Sequence, residues 1–153
     1  FLSWQQESDD TWTNPEPTDI QRGFTAFMST SLLAVDDEHR ILQIIRFAGE
    51  EAGCEVRLAS SPKQFMTILQ ERHPDIIVMD IIMPDMDGLE LLTWIKNQSC
   101  HAPVILISGY DDMYLTTAKE FGSIMDQREI RTIRKPFRVD DMVEKIRDLT
   151  SSR

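Results

Sequence analysis

Short apolar runs alternate with longer amphipathic segments along the chain from Leu32 onward. The runs predict five β-strands, namely SLLAV at 31–35, CEVRLA at 54–59, DIIVMD at 75–80, APVILIS at 102–108 and IRTIRK at 130–135. The third and fourth runs are apolar on both faces, which is typical of central strands in a parallel sheet. The second run is more polar and suits an edge strand, and the fifth is the weakest of the set.

The segments that follow these runs are predicted to be helices, because their apolar residues recur every three or four positions. They cover residues 38–53, 61–73, 88–98, 112–122 and 139–149. Gly53 is a typical helix stop, and Ser61 followed by Pro62 is a typical helix start. The positions predicted to face the core are Ile41, Ile44, Ile45, Ala48, Ala52, Phe65, Met66, Ile68, Leu69, Leu89, Leu92, Ile95, Val139, Met142, Val143, Ile146 and Leu149.

Five strand–helix units of this kind predict an α/β fold with a five-stranded, doubly wound parallel sheet. Right-handed crossovers bring the carboxyl ends of parallel strands to one edge of the sheet. Ligands of such folds bind at that edge. The polar residues that follow the predicted strands are Asp36, Asp37, Asp80, Ser108, Gly109 and Lys135, the last of them followed by Pro136.

The chemistry of this polar set indicates a phosphoryl acceptor that works with a divalent cation. Three carboxylates in a small space repel one another, which pushes at least one pKa upward. Magnesium takes oxygen ligands, so it removes this conflict and leaves coordination positions for water and phosphate oxygens. Asp80 lies between the acidic pair and Lys135, so we expect it to be the nucleophile that forms an acyl phosphate. Lys135 can neutralise the phosphoryl oxygens, and Ser108 can donate to them.

The first 30 residues differ in composition from the rest of the chain. They contain five acidic residues and one arginine, a net charge of −4. Thr18 and Gln21 form a capping-box pattern, and one helical face carries Ile20, Phe24, Phe27 and Met28. We therefore predict an N-terminal extension at 1–30 that is partly disordered or forms a short amphipathic helix, a domain at 31–150 and a C-terminal tail at 151–153. A disordered leader, with translation starting at Met28, is the alternative for the extension.

Composition and charge narrow the class of function. The net charge of −10 over 153 residues disfavours direct binding to nucleic acid. No apolar run reaches the roughly 20 residues that span a bilayer, and the acidic N-terminus does not resemble a signal peptide. Cys54 and Cys100 share no metal-ligand spacing. We expect a cytoplasmic protein that binds neither nucleic acid nor membrane.

Four segments carry a resemblance to a known family. They are LAVDDEHR at 33–40, DIIVMDIIMPDMDGLELL at 75–92, VILISGY at 104–110 and IRKPF at 133–137. From about Ser31 to Leu149 the chain resembles the receiver domain of two-component response regulators, the CheY-like superfamily with the flavodoxin-like (βα)5 fold. The four segments occur in the family's order, which makes the resemblance specific.

The resemblance implies a role for each acidic residue of the set. Asp80 takes a phosphoryl group from the phosphohistidine of a sensor histidine kinase or of a phosphotransfer protein. Asp37, Asp80 and the backbone carbonyl of Ile82 bind Mg²⁺, with Mn²⁺ as an alternative. Asp36 contributes to the metal site largely through water.

The resemblance also implies a conformational switch rather than a metabolic enzyme. Ser108 and Lys135 hold the phosphoryl oxygens, Ser108 moves when the group arrives, and the Lys135–Pro136 peptide bond is cis. The face formed by residues 112–122 and 130–135 then changes arrangement. Only four residues follow Leu149, so we expect either a downstream effector protein or an output domain in a longer chain. Residues 18–28 suit a homodimer contact.

Two features depart from the family pattern. Thr132 stands three positions before Lys135, where receivers usually carry an aromatic switch residue, and Tyr110 is a candidate substitute. The stretch 122–137 is longer than usual, either as a surface insertion or as a likeness to receivers that regulate cyclic-dinucleotide phosphodiesterases. Ile82 and Tyr110 are bulky and do not position an attacking water, so we expect a long-lived acyl phosphate.

Other interpretations remain open at this point. A degenerate receiver would act as a phosphorylation-independent interaction module, and Thr132 favours it. A haloacid-dehalogenase-like phosphatase also uses an aspartate nucleophile, but it needs a second acid where Ile82 stands. Asp36 and Asp37 could cap the first helix, and Asp85 and Asp87 more simply shape the turn before residue 88. A calcium loop fails, because its last position would be a tryptophan at 94 instead of a carboxylate.

Overall fold

The computed structural model describes residues 5–6, 12–13, 29–109 and 128–151. The predicted amphipathic helix at 18–28, the predicted helix at 112–122 and Tyr110 lie outside this part of the chain. Two short strands, Gln5–Gln6 and Trp12–Thr13, pair in antiparallel orientation, which we did not predict from the sequence. Within the described residues, no helix combines the length and apolar character that a membrane span requires.

The core of the molecule is a five-stranded parallel sheet. Its strands are β1 Thr30–Val35, β2 Cys54–Ala59, β3 Ile76–Asp80, β4 Val104–Ser108 and β5 Ile130–Arg134. The spatial order is β2-β1-β3-β4-β5, and every neighbouring pair is parallel. The predicted parallel sheet is therefore confirmed. So are the edge position of β2 and the central position of β3.

Helices cover both faces of the sheet. They are α1 His39–Glu51, α2 Pro62–Glu71, α3 Gly88–Asn97 and α4 Val139–Ser151. Buried residues of α1 and α4 form one apolar cluster with residues of the sheet. Buried residues of α2 and α3 form a second cluster with the opposite face. Because β3 and β4 are buried on both sides, their continuous apolar runs follow from this layering.

The helix ends follow the predicted capping chemistry. The hydroxyl of Ser61 accepts a hydrogen bond from the backbone N–H of Gln64 at 3.1 Å, and Pro62 occupies the first turn of α2. The Asp87 carboxylate accepts one from the backbone N–H of Glu90 at 2.9 Å, so this residue shapes the start of α3 as expected. Gly53 has a φ of +85°, which suits glycine just beyond the end of α1.

The buried faces of α1 and α3 differ from the prediction by one residue. Leu42 and Gly49 of α1 are buried, whereas Ile41 and Ile44 are only partly buried. In α3, Leu91 is buried and Leu89 is partly exposed. Gly49 explains the rotation of α1, because a Cβ atom there would lie 2.5 Å from Val56 Cγ2. The helix approaches β2 more closely than any larger residue would allow. Two further predicted core positions, Ala52 and Val139, are also partly or largely exposed, with Val139 37% exposed.

The substitution Gly49→Ala tests this close approach. Alanine favours a helix over glycine by up to about 1 kcal/mol, but its methyl group would clash with the stiff side chain of Val56. We expect a net loss of about 1–2 kcal/mol in the free energy of unfolding, measured with urea. In a Val56→Ala background the clash is absent, so the same substitution should be neutral or stabilising. Equal destabilisation in both backgrounds would contradict the packing account.

Candidate functional site

The carboxyl edge of the sheet brings the predicted polar residues together. Asp36 follows the last residue of β1, Asp80 ends β3, and Lys135 follows the last residue of β5. The backbone N–H of Lys135 donates to the carbonyl of Ser108 at 2.8 Å, so the end of β5 is fixed beside the end of β4. Parallel register therefore places four separate sequence segments around one pocket.

Three carboxylates converge in this pocket. Asp36, Asp37 and Asp80 each offer an oxygen within 4.8 Å of the others. Asp36 is fully buried and Asp80 is 5% exposed, while Asp37 is open to solvent. The pocket thus combines two desolvated acids with one accessible acid, an arrangement in which a cation can enter from the solvent side.

Asp36 shows that the acidic cluster fits a divalent cation. Its Oδ1 atom accepts the backbone N–H of Glu38 at 2.8 Å. Its Oδ2 atom is buried and, among the described residues, accepts no hydrogen bond, although it lies at ion-pair distance, 3.3 Å, from Lys135 Nζ. A buried carboxylate oxygen without a donor is costly. A hard cation and its bound water would satisfy this oxygen, and the donor set consists of the oxygens that Mg²⁺ prefers.

Lys135 is the cation that the structure places in the pocket. Its ammonium nitrogen lies 3.2 Å from Asp80 Oδ2 and 3.1 Å from Glu38 Oε1, in addition to the contact with Asp36. Burial lowers the pKa of Lys135, but the hydrogen bond with Glu38 and the charges of the two aspartates outweigh it and raise the pKa above its ordinary value. The Lys135–Pro136 peptide bond is cis, as predicted. The ammonium group therefore stays charged beside Asp80.

The two buried acids have raised pKa values. Loss of hydration raises the pKa of Asp36 from 3.8 to about 6; the Asp80 charge adds to this, and the hydrogen bond from Glu38 opposes it. Burial also raises the pKa of Asp80, against the opposing charge and hydrogen bond of Lys135. Lys135 alone does not offset the desolvation of both acids, so the pocket has an affinity for further positive charge.

The loop between β3 and α3 is held tightly against Asp80. The backbone N–H of Ile82 lies 3.3 Å from Asp80 Oδ1 and donates to it. Gly88 N–H donates to the carbonyl of Ile81, and a Cβ on Gly88 would lie 2.9 Å from the Ile81 Cα atom. Only glycine fits there, because the neighbouring atom is backbone and cannot turn away. The Ile82 side chain is 37% exposed beside the pocket.

The remaining predicted residues occupy the surroundings of the pocket. Ser108 is fully buried at the end of β4, and Gly109 lies against Lys135. Thr132 is half-buried on β5. Asp85 is exposed in the loop after β3.

Sequence reasoning missed Glu38, which we assigned only to the start of the first helix. Its carboxylate instead contacts Lys135, 97 residues further along the chain. The available signal was its position directly after Asp37, at the same strand end. Side-chain direction decides whether such a residue faces the helix or the pocket, and the local pattern does not contain it.

Comparison with known proteins agrees with this geometry. DctD of Pseudomonas aeruginosa, a C4-dicarboxylate transport transcriptional regulatory protein, is 33% identical over 118 residues, and the match covers 77% of this chain and 24% of DctD. The polar-differentiation response regulator DivK of Brucella ovis is 32% identical over 85 residues, covering 54% of this chain and 69% of DivK. This chain therefore spans about a quarter of DctD.

Solved structures show the same fold. The chemotaxis protein CheY4 of Vibrio cholerae superimposes with a TM-score of 0.70 at 22% identity, covering 79% of this chain and 98% of CheY4. The model of the response regulator receiver domain family matches residues 32–147, which include every residue of the pocket. The chain therefore belongs to the response regulator receiver domain family of two-component signalling.

Proposed function

We propose that this receiver domain accepts a phosphoryl group on Asp80 and thereby switches the activity of a signalling partner. The observation that carries the proposal is the position of Lys135 Nζ, 3.2 Å from Asp80 Oδ2, beside a cluster of three acids. A nucleophilic carboxylate needs positive charge nearby to offset the charge of the incoming phosphoryl oxygens. The pocket supplies one such charge and has room for a second.

The proposed transfer is a substitution at phosphorus. An oxygen of Asp80 attacks the phosphorus of a phosphohistidine, and the phosphorus–nitrogen bond breaks. The electron pair stays on the imidazole nitrogen, which takes a proton, and Asp80 becomes an acyl phosphate. Lys135 and Ser108 donate to the phosphoryl oxygens. The donor is a sensor histidine kinase or a phosphotransfer protein.

The residues that would hold a divalent cation are Asp37, Asp80 and the backbone carbonyl of Ile82, with Asp36 acting through water. Mg²⁺ is the first choice, and Mn²⁺ takes the same oxygen ligands. When bound, the cation would supply charge that offsets the phosphoryl oxygens. The unpaired Oδ2 atom of Asp36 supports its place beside such an ion.

The output of the switch acts through a partner. DctD is a transcriptional regulatory protein, and this chain matches 24% of it. We infer that a downstream effector or an output domain responds to phosphorylation in the cytoplasm, and that a homodimer is an alternative output. Because Thr132 replaces the usual aromatic residue, the response relies on Ser108 and Lys135 rather than on a swinging ring. A receiver that binds its partner without phosphorylation is the competing proposal.

Incubation with acetyl phosphate and Mg²⁺ tests the acceptor. We expect a phosphorylated species in the wild type, detected by phosphate-affinity electrophoresis, because the carboxylate of Asp80 is positioned beside Lys135. The species should be absent in Asp80→Asn and in the presence of EDTA. Asp85→Asn removes an exposed acid from the same loop and should behave as the wild type. A wild type that is never modified would favour the phosphorylation-independent receiver.

Asp36→Asn should stabilise the metal-free protein. The pKa of Asp36 rises from 3.8 to about 6 on folding, so the wild type loses stability as the pH rises through this window. Asparagine carries no charge, and the gain at pH 7.5 should be about 1–3 kcal/mol, vanishing below about pH 4. Urea unfolding at both pH values, in EDTA, measures it. Asp85→Asn is the control, and a pH-independent gain in Asp36→Asn would refute the burial account.

Ile82→Asn should shorten the life of the acyl phosphate. The isoleucine at the mouth of the pocket cannot orient water, whereas an amide can hold it by a hydrogen bond. We expect phosphate release to accelerate about fivefold, measured after removal of the donor. Val139→Asn is the matched control, because Val139 has the same 37% exposure on another surface. An unchanged half-life in Ile82→Asn would eliminate the steric explanation.

A further inference from the structure

We infer that Glu38 is a positioning residue that holds Lys135 before phosphorylation and releases it to the incoming phosphoryl group. The inference rests on the proposed function and assigns a regulatory role to a residue that neither binds the metal nor takes the phosphoryl group. It starts from the number of acceptors around a single ammonium nitrogen.

Lys135 has no unused donor in the resting pocket. Its nitrogen lies 3.1 Å from Glu38 Oε1, 3.2 Å from Asp80 Oδ2 and 3.3 Å from Asp36 Oδ2. An ammonium group has three N–H bonds, and three carboxylate oxygens surround this one. A phosphoryl oxygen that arrives on Asp80 can therefore reach Lys135 only by displacing one of these acids.

Glu38 is the acid that can leave. The side chains of Asp36 and Asp80 are 0% and 7% exposed, whereas that of Glu38 is 59% exposed. A buried carboxylate that loses its partner keeps an uncompensated charge, but an exposed one exchanges the ammonium for water at little cost. The Glu38 backbone is fixed by its N–H bond to Asp36 Oδ1 at 2.8 Å. Rotation of the side chain alone is enough for the exchange.

Helix capping does not account for the position of this carboxylate. Glu38 is the N-cap residue of α1, yet its side chain accepts no hydrogen bond from that helix. Acidic N-cap residues usually turn back to the free N–H groups of the first turn. Here the longer glutamate side chain extends away from the helix to Lys135. Its contact lies entirely with the pocket.

Glu38 therefore competes with the phosphoryl group for Lys135. Competition from an exposed ion pair changes an equilibrium or a rate by about twofold to fivefold. The competition slows phosphorylation by anionic donors, and it returns Lys135 to its resting partner after the phosphate leaves. A receiver with Glu38 replaced would respond to small phosphodonors at lower concentration.

The test compares three substitutions in the full chain. Glu38→Gln removes the charge, and Glu38→Asp keeps it on a side chain one methylene shorter, which cannot reach Lys135 from the same backbone position. Glu50→Gln removes an exposed acid from the opposite end of α1 and serves as the charge-matched control. The measurements are the second-order rate constant for phosphorylation by acetyl phosphate with Mg²⁺, and the affinity for beryllofluoride. We expect both Glu38 variants to exceed the wild type by about twofold to fivefold, and Glu50→Gln to match it.

The outcomes separate the contact from the alternatives. If only Glu38→Gln is faster, long-range repulsion explains the result and the contact with Lys135 is overturned. If both Glu38 variants equal the wild type, the inference fails while the acceptor role of Asp80 stands. If the wild type is not phosphorylated at all, the proposed function fails and this inference falls with it. Urea unfolding identifies a purely structural effect, which would change stability without changing the rate ratio.

Discussion

One ammonium group shared among three carboxylates is the interaction on which this site depends. Lys135 contacts residues from the ends of β1 and β3 and from the start of α1, although it belongs to the segment after β5. Only a parallel sheet brings these ends to the same edge, because every strand must point in the same direction. The apolar core, with its two faces and four described helices, exists in this sense to hold four charges within contact distance.

The same arrangement is costly to the fold. Burial raises the pKa of Asp36 and Asp80, so each carries an energetic penalty when it is ionised at neutral pH. A protein selected for stability alone would replace such acids with neutral groups. Their presence at the carboxyl edge, where ligands of this fold bind, is consistent with a site that gains from an added cation and that gives up stability for chemistry.

The sequence predicted those parts of the structure that depend on period and direction. Strand ends located Asp36, Asp80 and Lys135 correctly, because the rule that parallel strands share an edge needs only the strand assignments. The rotation of α1 was off by one residue, because it depends on how closely Gly49 lets the helix approach Val56. The contact of Glu38 with Lys135 was missed for a related reason. It depends on a side-chain torsion and on a partner 97 residues away.

Gly88 has a mechanical meaning beyond its small size. Its backbone is pressed against that of Ile81, so the loop between β3 and α3 has no slack. Such a joint cannot absorb movement, and the strand that ends in Asp80 and the helix that follows it must shift as one rigid unit. Any strain created at Asp80 is therefore relieved on the other side of the pocket, where Ser108 and Lys135 are joined by a single backbone hydrogen bond.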